Sequence, residues 1–141
     1  MNQHETHALL VEQMIALAAV VFGITKELVD GCDLTESEAK LLWLTDPNAE
    51  PVPLKQLATL AHFDPSNVTL ISAKLDEKGL VQRMPHPQDG RVRTLVLTAA
   101  GRKMRDRLLA GAHARSPFSA LDITEQRQLS RLLTKALRRE P

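Results

Sequence analysis

The 141-residue sequence contains no tyrosine, one tryptophan, three phenylalanines and one cysteine. A single cysteine, Cys32, excludes an internal disulfide framework and suits a reducing cytoplasm. A lone thiol of this kind reads as inert. With so few aromatics and so much Leu and Ala, the core is expected to be aliphatic and the fold mainly helical. Also missing are a phosphate-binding glycine loop, a nucleophile elbow and a zinc-protease motif, so an enzyme is not expected. His4 and His7 stand at i, i+3 spacing, but a closed zinc site wants about four ligands and Cys32 is the only thiol. The expectation is no metal and no cofactor. No basic leader precedes the apolar run Met14–Gly23, which does not read as a secretory signal. The run also looks too short to span a bilayer before Lys26 and Glu27, so no membrane association is expected.

What is present is a chain 43% hydrophobic, enough for one domain with a true core. Net charge is only +1, but it is unevenly spread. Residues 1–50 hold two Lys/Arg against nine Asp/Glu, whereas residues 83–107 hold seven against two. This asymmetry suits either an anionic partner for one face or an ordinary solvated surface.

Helical spacing runs from about His7 to Val29 and is apolar nearly all round. Such a helix is expected to be buried on several sides, and a second subunit is one way to cover it. A new helix starts in GCDLTESEAKLLWL, where Thr35 and Glu38 have capping-box spacing and Leu41, Leu42 and Leu44 form the apolar side. Asp46–Pro51 reads as a loop. Residues 53–63 read as a short helix with Leu54, Leu57, Ala58 and Ala61 on one face. Residues 64–79 follow almost at once: Asp64 is a good N-cap, Pro65 a good first residue and Gly79 a left-handed stop. Val68, Ile71, Ser72 and Leu75 would face inward. The pair is a helix-turn-helix candidate, although His62 and Phe63 stand where a glycine is usual.

Residues 80–84 and 91–98 flank PHPQDG and read as a short hairpin with a tight Asp-Gly turn. Such strands are too short for an independent sheet and make sense as a wing packed on the two helices. Thr98 would cap a helix to about Arg115, which Pro117 ends. Residues 122–139 form a last amphipathic helix with Leu129, Leu132, Leu133, Ala136 and Leu137 on its stripe. Helices at both ends bracket a compact middle, which suggests a dimer built from the ends.

Residues 64–101 resemble the MarR (multiple antibiotic resistance regulator) family of bacterial transcription factors. The likeness rests on Ser66, Val68 and Thr69; Gly79, Leu80 and Val81; Asp89 and Arg91; and Leu97, Thr98 and Gly101, in order and at matching spacing. The sequence departs from the family at His86, where many relatives are acidic, and at Leu70, often arginine or glycine. The resemblance implies a mainly α winged helix-turn-helix with a small β-hairpin wing, dimeric through its N- and C-terminal helices. Residues 1–34 and 102–141 would form the dimerisation region and residues 35–101 the DNA-binding lobe.

It also implies a cytoplasmic transcriptional regulator, a repressor in the first reading, that binds double-stranded DNA at a pseudo-palindromic operator. Its half-sites would lie roughly 10 base pairs apart. Asn67 would read adenine, while Ser66, Thr69 and Lys74 contact bases or phosphate. Plain capping is the alternative role for Ser66 and Asn67. Arg91 would enter the minor groove from the wing, Arg93 would contact phosphate or bond to Asp89, and Arg83 and Asp89 would support the wing. Family members commonly bind a small aromatic or phenolic ligand; Phe22, Leu42 and Trp43 would line that space or belong to the core. The rival reading is a winged-helix protein-interaction module without sequence-specific DNA binding.

Overall fold

The computed structural model describes residues 1–138; the end of the last predicted helix and of the predicted dimerisation region, residues 139–141, lies outside them. The order is α1 (Gln3–Asp30), α2 (Glu36–Leu44), β1 (Val52–Pro53), α3 (Leu54–Ala61), α4 (Pro65–Glu77), β2 (Val81–His86), β3 (Asp89–Leu97), α5 (Ala99–Arg115), a 3-10 turn (Pro117–Ala120) and α6 (Ile123–Leu137). The mainly α fold with a small antiparallel sheet is the winged helix expected.

Side-chain caps set most helix starts. Asn2 Oδ1 accepts from Glu5 N at 3.0 Å while Glu5 Oε2 accepts from Asn2 N at 2.7 Å, a reciprocal box repeated by Asp122 and Glu125 at α6. The box expected at Thr35 and Glu38 is only half made. Thr35 Oγ1 accepts from Glu38 N at 3.2 Å, but the Glu38 carboxylate is drawn away to Lys78 Nζ at 2.6 Å. A charged partner outcompetes a backbone amide for a carboxylate that is 2% exposed.

The core is aliphatic: Leu41, Leu42, Leu57, Leu75 and Leu95 are fully buried, with Val68, Val81, Leu97 and Leu108 around them. It is drawn from α2, α3, α4, the sheet and α5. Here one expectation is corrected. Its own chain does not bury α1 on several sides; only Val29 is buried there, and Leu10, Met14, Ile15 and Phe22 are exposed. Nor does the length argument against a membrane hold, since the helix has 28 residues and is long and apolar enough to cross one by length and composition alone. The stripe of α6 is exposed as well, at Leu132, Leu133 and Leu137.

The three strands run in the order β1–β3–β2, all antiparallel. β1, which pairs Val52 with Leu95 and Pro53 with Thr94, was not foreseen. A two-residue edge strand ending in proline leaves no alternation to read. The hairpin turn also differs. It falls on Pro87 and Gln88, with Asp89 and Gly90 already in β3, and Gly90 does not take a positive φ. Proline fixes φ near −65°, which suits the second position of an ordinary turn; a primed turn centred on Pro87 would need positive φ there. The register then slips: Pro85 faces Arg93, but His86 faces Asp89, so Gly90, Arg91 and Val92 bulge from the wing.

One junction ties α4, the wing and α5. Gly79 ends α4 with φ 73°, Leu80 O accepts from Thr98 N at 3.1 Å, and Thr98 Oγ1 donates to Gly79 O at 2.6 Å. The same hydroxyl accepts from Gly101 N at 3.0 Å and so starts α5. A Cβ at Gly101 would overlap the Leu80 carbonyl oxygen, which is backbone and cannot step aside. Gly101→Ala is therefore expected to cost about 2 kcal/mol. Gly31→Ala, where φ is −90° and the space is open, should be near neutral. Equal urea-unfolding midpoints for the two variants would contradict this account.

Candidate nucleic-acid interface

The helix-turn-helix reverses without glycine because His62 takes its place. His62 has φ 56° and ψ 40°, a left-handed conformation that histidine enters more readily than most side chains. Its N–H donates to Thr59 O at 3.3 Å, and Phe63 N donates to Ala58 O at 2.9 Å, which closes α3 and turns the chain straight into Asp64. Phe63 is half-buried against the core, with Lys40 Nζ 5.0 Å from its ring centre.

Along α4, Val68, Ser72 and Leu75 are buried and Ile71 is half-buried, the inward face expected. Ser72 is tolerated there because its hydroxyl donates to Val68 O at 2.6 Å. Asp64 Oδ1 accepts from Ser66 N at 3.2 Å and so does the capping. The plain-capping role for the side chains of Ser66 and Asn67 is thus already filled. Ser66, Asn67, Thr69, Leu70 and Lys74 are all exposed on the other side of the helix. Thr69 Oγ1 donates to Pro65 O at 3.2 Å, so its oxygen remains an acceptor only.

The wing brings Arg83, Arg91 and Arg93 to the surface. Arg91 lies in the bulge, and its backbone N–H donates to Asp89 Oδ1 at 3.1 Å. Asp89 therefore holds the bulge through Arg91 rather than through the guanidinium of Arg93. Arg83 does not brace the tip: its Nε lies 3.7 Å from Asp76 Oδ2, so it links β2 to the end of α4, weakly because both groups are exposed. The tip is held instead by His86, the residue that departs from the family pattern, whose Nδ1 accepts from Gln88 N at 3.1 Å. Further down, Thr94 Oγ1 donates to Met84 O at 2.9 Å and keeps the two strands in register.

A cavity of about 790 Å³ opens between α1, α2 and the α5–α6 connection. All four aromatic residues of the chain line it: Phe22, Trp43, Phe63 and Phe118. Lys40 and His113 add basic groups. Of the three residues expected to line a ligand space or belong to the core, Phe22 and Trp43 stand in the cavity wall, and Leu42 is fully buried in the core. Phe63 and Phe118 were missed. They lie far apart in sequence, and the scarcity of aromatics was the only available hint. Among the described residues, no group of three or more His, Cys, Asp and Glu side chains is arranged to hold a metal. Cys32 is half-buried at the edge of the core.

Residues 34–92 match the model of the MarR family. The HTH-type transcriptional repressor IacR of Pseudomonas putida is 27% identical over 110 residues; the match covers 77% of this chain and 65% of the repressor's own length. Among solved structures, CouR from Rhodococcus jostii RHA1 bound to p-coumaroyl-CoA aligns over 92% of each chain with 25% identity and a TM-score of 0.78. A MarR-family protein of Mycobacterium tuberculosis in complex with salicylic acid aligns over 88% of this chain and 93% of its own, with 25% identity and a TM-score of 0.64.

The left-handed turn has a direct test. A β-branched side chain resists positive φ, so His62→Val is expected to cost about 1–2 kcal/mol, while His62→Asn should be close to neutral. Equal unfolding free energies for the two variants would show that the backbone at this position does not need the left-handed region.

Proposed function

We propose that this chain, a member of the MarR family, is a sequence-specific regulator of transcription that binds double-stranded DNA as a homodimer and acts as a repressor in the cytoplasm. The observation that carries the reading is α4, whose outward face is spared both capping and packing and stands beside a wing with an arginine in its bulge. In this reading Asn67 pairs with adenine N6 and N7 in the major groove, while Ser66, Thr69 and Lys74 contact neighbouring bases and phosphates. Arg91 enters the minor groove and Arg93 meets phosphate. Repression is supported by the named activity of the Pseudomonas relative.

The second copy would cover the exposed apolar faces of α1 and α6, around Leu10, Met14, Ile15, Leu132 and Leu137. Residues 1–34 and 102–141 would then be the dimerisation region and residues 35–101 the DNA-binding lobe. A two-fold pair presents two copies of α4 and calls for a pseudo-palindromic site with half-sites roughly 10 base pairs apart. The cavity would take a small aromatic or phenolic anion, its ring among the four aromatics and its charge at Lys40. The two solved relatives hold an aromatic acid and a coumaroyl thioester. A ligand that prefers one spacing of lobe and dimer helices would change operator affinity by that preference.

Fragments selected from a random DNA pool over a salt series test the reading. Selective retention that falls steeply with salt is expected. Retention without sequence preference or salt dependence would favour a protein-docking module. Arg91→Ala should weaken operator binding by about 1–3 kcal/mol and leave the dimer intact by sedimentation; an unchanged affinity rejects its role.

The sole tryptophan, Trp43, lines the cavity, so benzoate-type acids should alter its fluorescence and release the operator. Lys40→Ala should weaken that response about tenfold. Acids that leave both fluorescence and operator binding unchanged would reject the ligand.

A further inference from the structure

We propose that Leu70 reads the C5-methyl group of a thymine in the major groove of each operator half-site, an inference that rests on the DNA-binding reading above. Each helical residue turns the side chain by about 100°, so the buried set Val68, Ser72 and Leu75 fixes the direction of the core. Leu70 falls on the opposite side. It is 56% exposed, in the middle of the helix, with Ser66 and Asn67 one turn before it and Lys74 one turn after. It therefore stands near the middle of the face that a partner on this side would meet.

Its chemistry narrows what that partner offers. Across the floor of the major groove the base edges present hydrogen-bond donors and acceptors and one hydrocarbon group, the thymine methyl. A leucine brought against any other base edge would desolvate a polar atom without pairing it. Charge is arranged to match. Lys74 is the one cation from Pro65 to Glu77, whereas Arg83, Arg91 and Arg93 lie exposed on the wing. The wing thus supplies attraction to phosphate, and the helix supplies an amide, hydroxyls and a hydrocarbon contact. Other exposed hydrophobic residues near this lobe, Leu60 on α3 and Met84 on β2, lie outside α4.

The test replaces each thymine of a selected operator by deoxyuridine, which removes only the methyl group. Burial of one methyl corresponds to about fourfold in affinity, so substitution in both half-sites is expected to weaken the wild-type protein roughly fifteenfold at one position. Leu70→Ala, an exposed substitution that should leave the helical circular dichroism unchanged, is expected to bind the thymine and uracil operators equally. Leu70→Met should keep the discrimination. Low salt keeps the weaker complexes measurable. Equal wild-type affinity for every uracil substitution overturns the proposal, as does discrimination that persists in Leu70→Ala. In both outcomes selective DNA binding survives. A protein that retains no operator at all overturns the underlying reading instead.

Discussion

The Thr98 hydroxyl sits where three functional elements meet. It donates to the Gly79 carbonyl just beyond α4 and accepts from the Gly101 amide in the first turn of α5, while the Thr98 backbone N–H donates to the Leu80 carbonyl just before β2. Gly101 lets α5 start directly against the Leu80 carbonyl. A hydroxyl used at both lone pair and proton tolerates little movement of one neighbour without the other. One side chain therefore ties together the end of α4, the root of the wing and the start of α5. The further end of α5 carries Leu108, Ala112 and His113 to the cavity wall. A helix of 17 residues thus runs from this junction to the proposed ligand space.

α2 gives the second link. Its residues divide by helical side: Lys40 and Trp43 face the cavity, while Glu38, Leu41 and Leu42 turn into the core. Glu38 meets Lys78 at 2.6 Å, and Lys78 also donates to the Asp33 carbonyl at 2.6 Å, which fastens the end of α4 to the entry of α2. A buried carboxylate of this kind adds little net stability but is costly to leave unpaired, so it selects one docking of the two helices. On the outer side, Arg105 Nε of α5 donates to the Trp43 carbonyl at 3.0 Å. Both links run from the cavity wall to α4, so in the proposed mode a change in the α1–α2 spacing would reach α4 without unfolding.

The middle of the chain was legible because its signals are local. Asp64-Pro65 at the start of α4, Gly79 at its end and Thr98 at the start of α5 each act within a few residues, and the structure places them as read. The face of α4 followed from its spacing. What escaped were choices between local and distant partners. Glu38 had the right spacing for a cap, yet Lys78, 40 residues away, holds its carboxylate. Asp-Gly signalled the turn, but the chain reverses two residues earlier, at Pro87 and Gln88, where proline's fixed φ suits an ordinary turn. His62 was noted only as a missing glycine, although a left-handed histidine does that work. The gathering of Phe22, Trp43, Phe63 and Phe118 around one space depends on how four elements pack, which no single window contains. The same limit applies to α1: its apolar residues show that something must cover them, and say nothing of what.

The charge pattern takes on a meaning in this geometry that a count along the sequence could not give it. The acidic first 50 residues contain α1 and α2, around the cavity, and the cations concentrate on the wing and the first turns of α5. The first nine residues of α4, 65–73, carry no charge. In the proposed mode, attraction to the duplex would then come from an element that reads little sequence, and reading from an element that attracts weakly. The two are joined at Thr98, so the wing can hold the protein near DNA while α4 tests the groove. A shift of the whole lobe by a few ångströms would leave the wing within reach of some phosphate but put α4 out of register with its bases. Loss of specific binding with residual nonspecific binding is the expected consequence of that division. It makes lobe spacing, more than any single contact, the quantity a ligand in the cavity has to change.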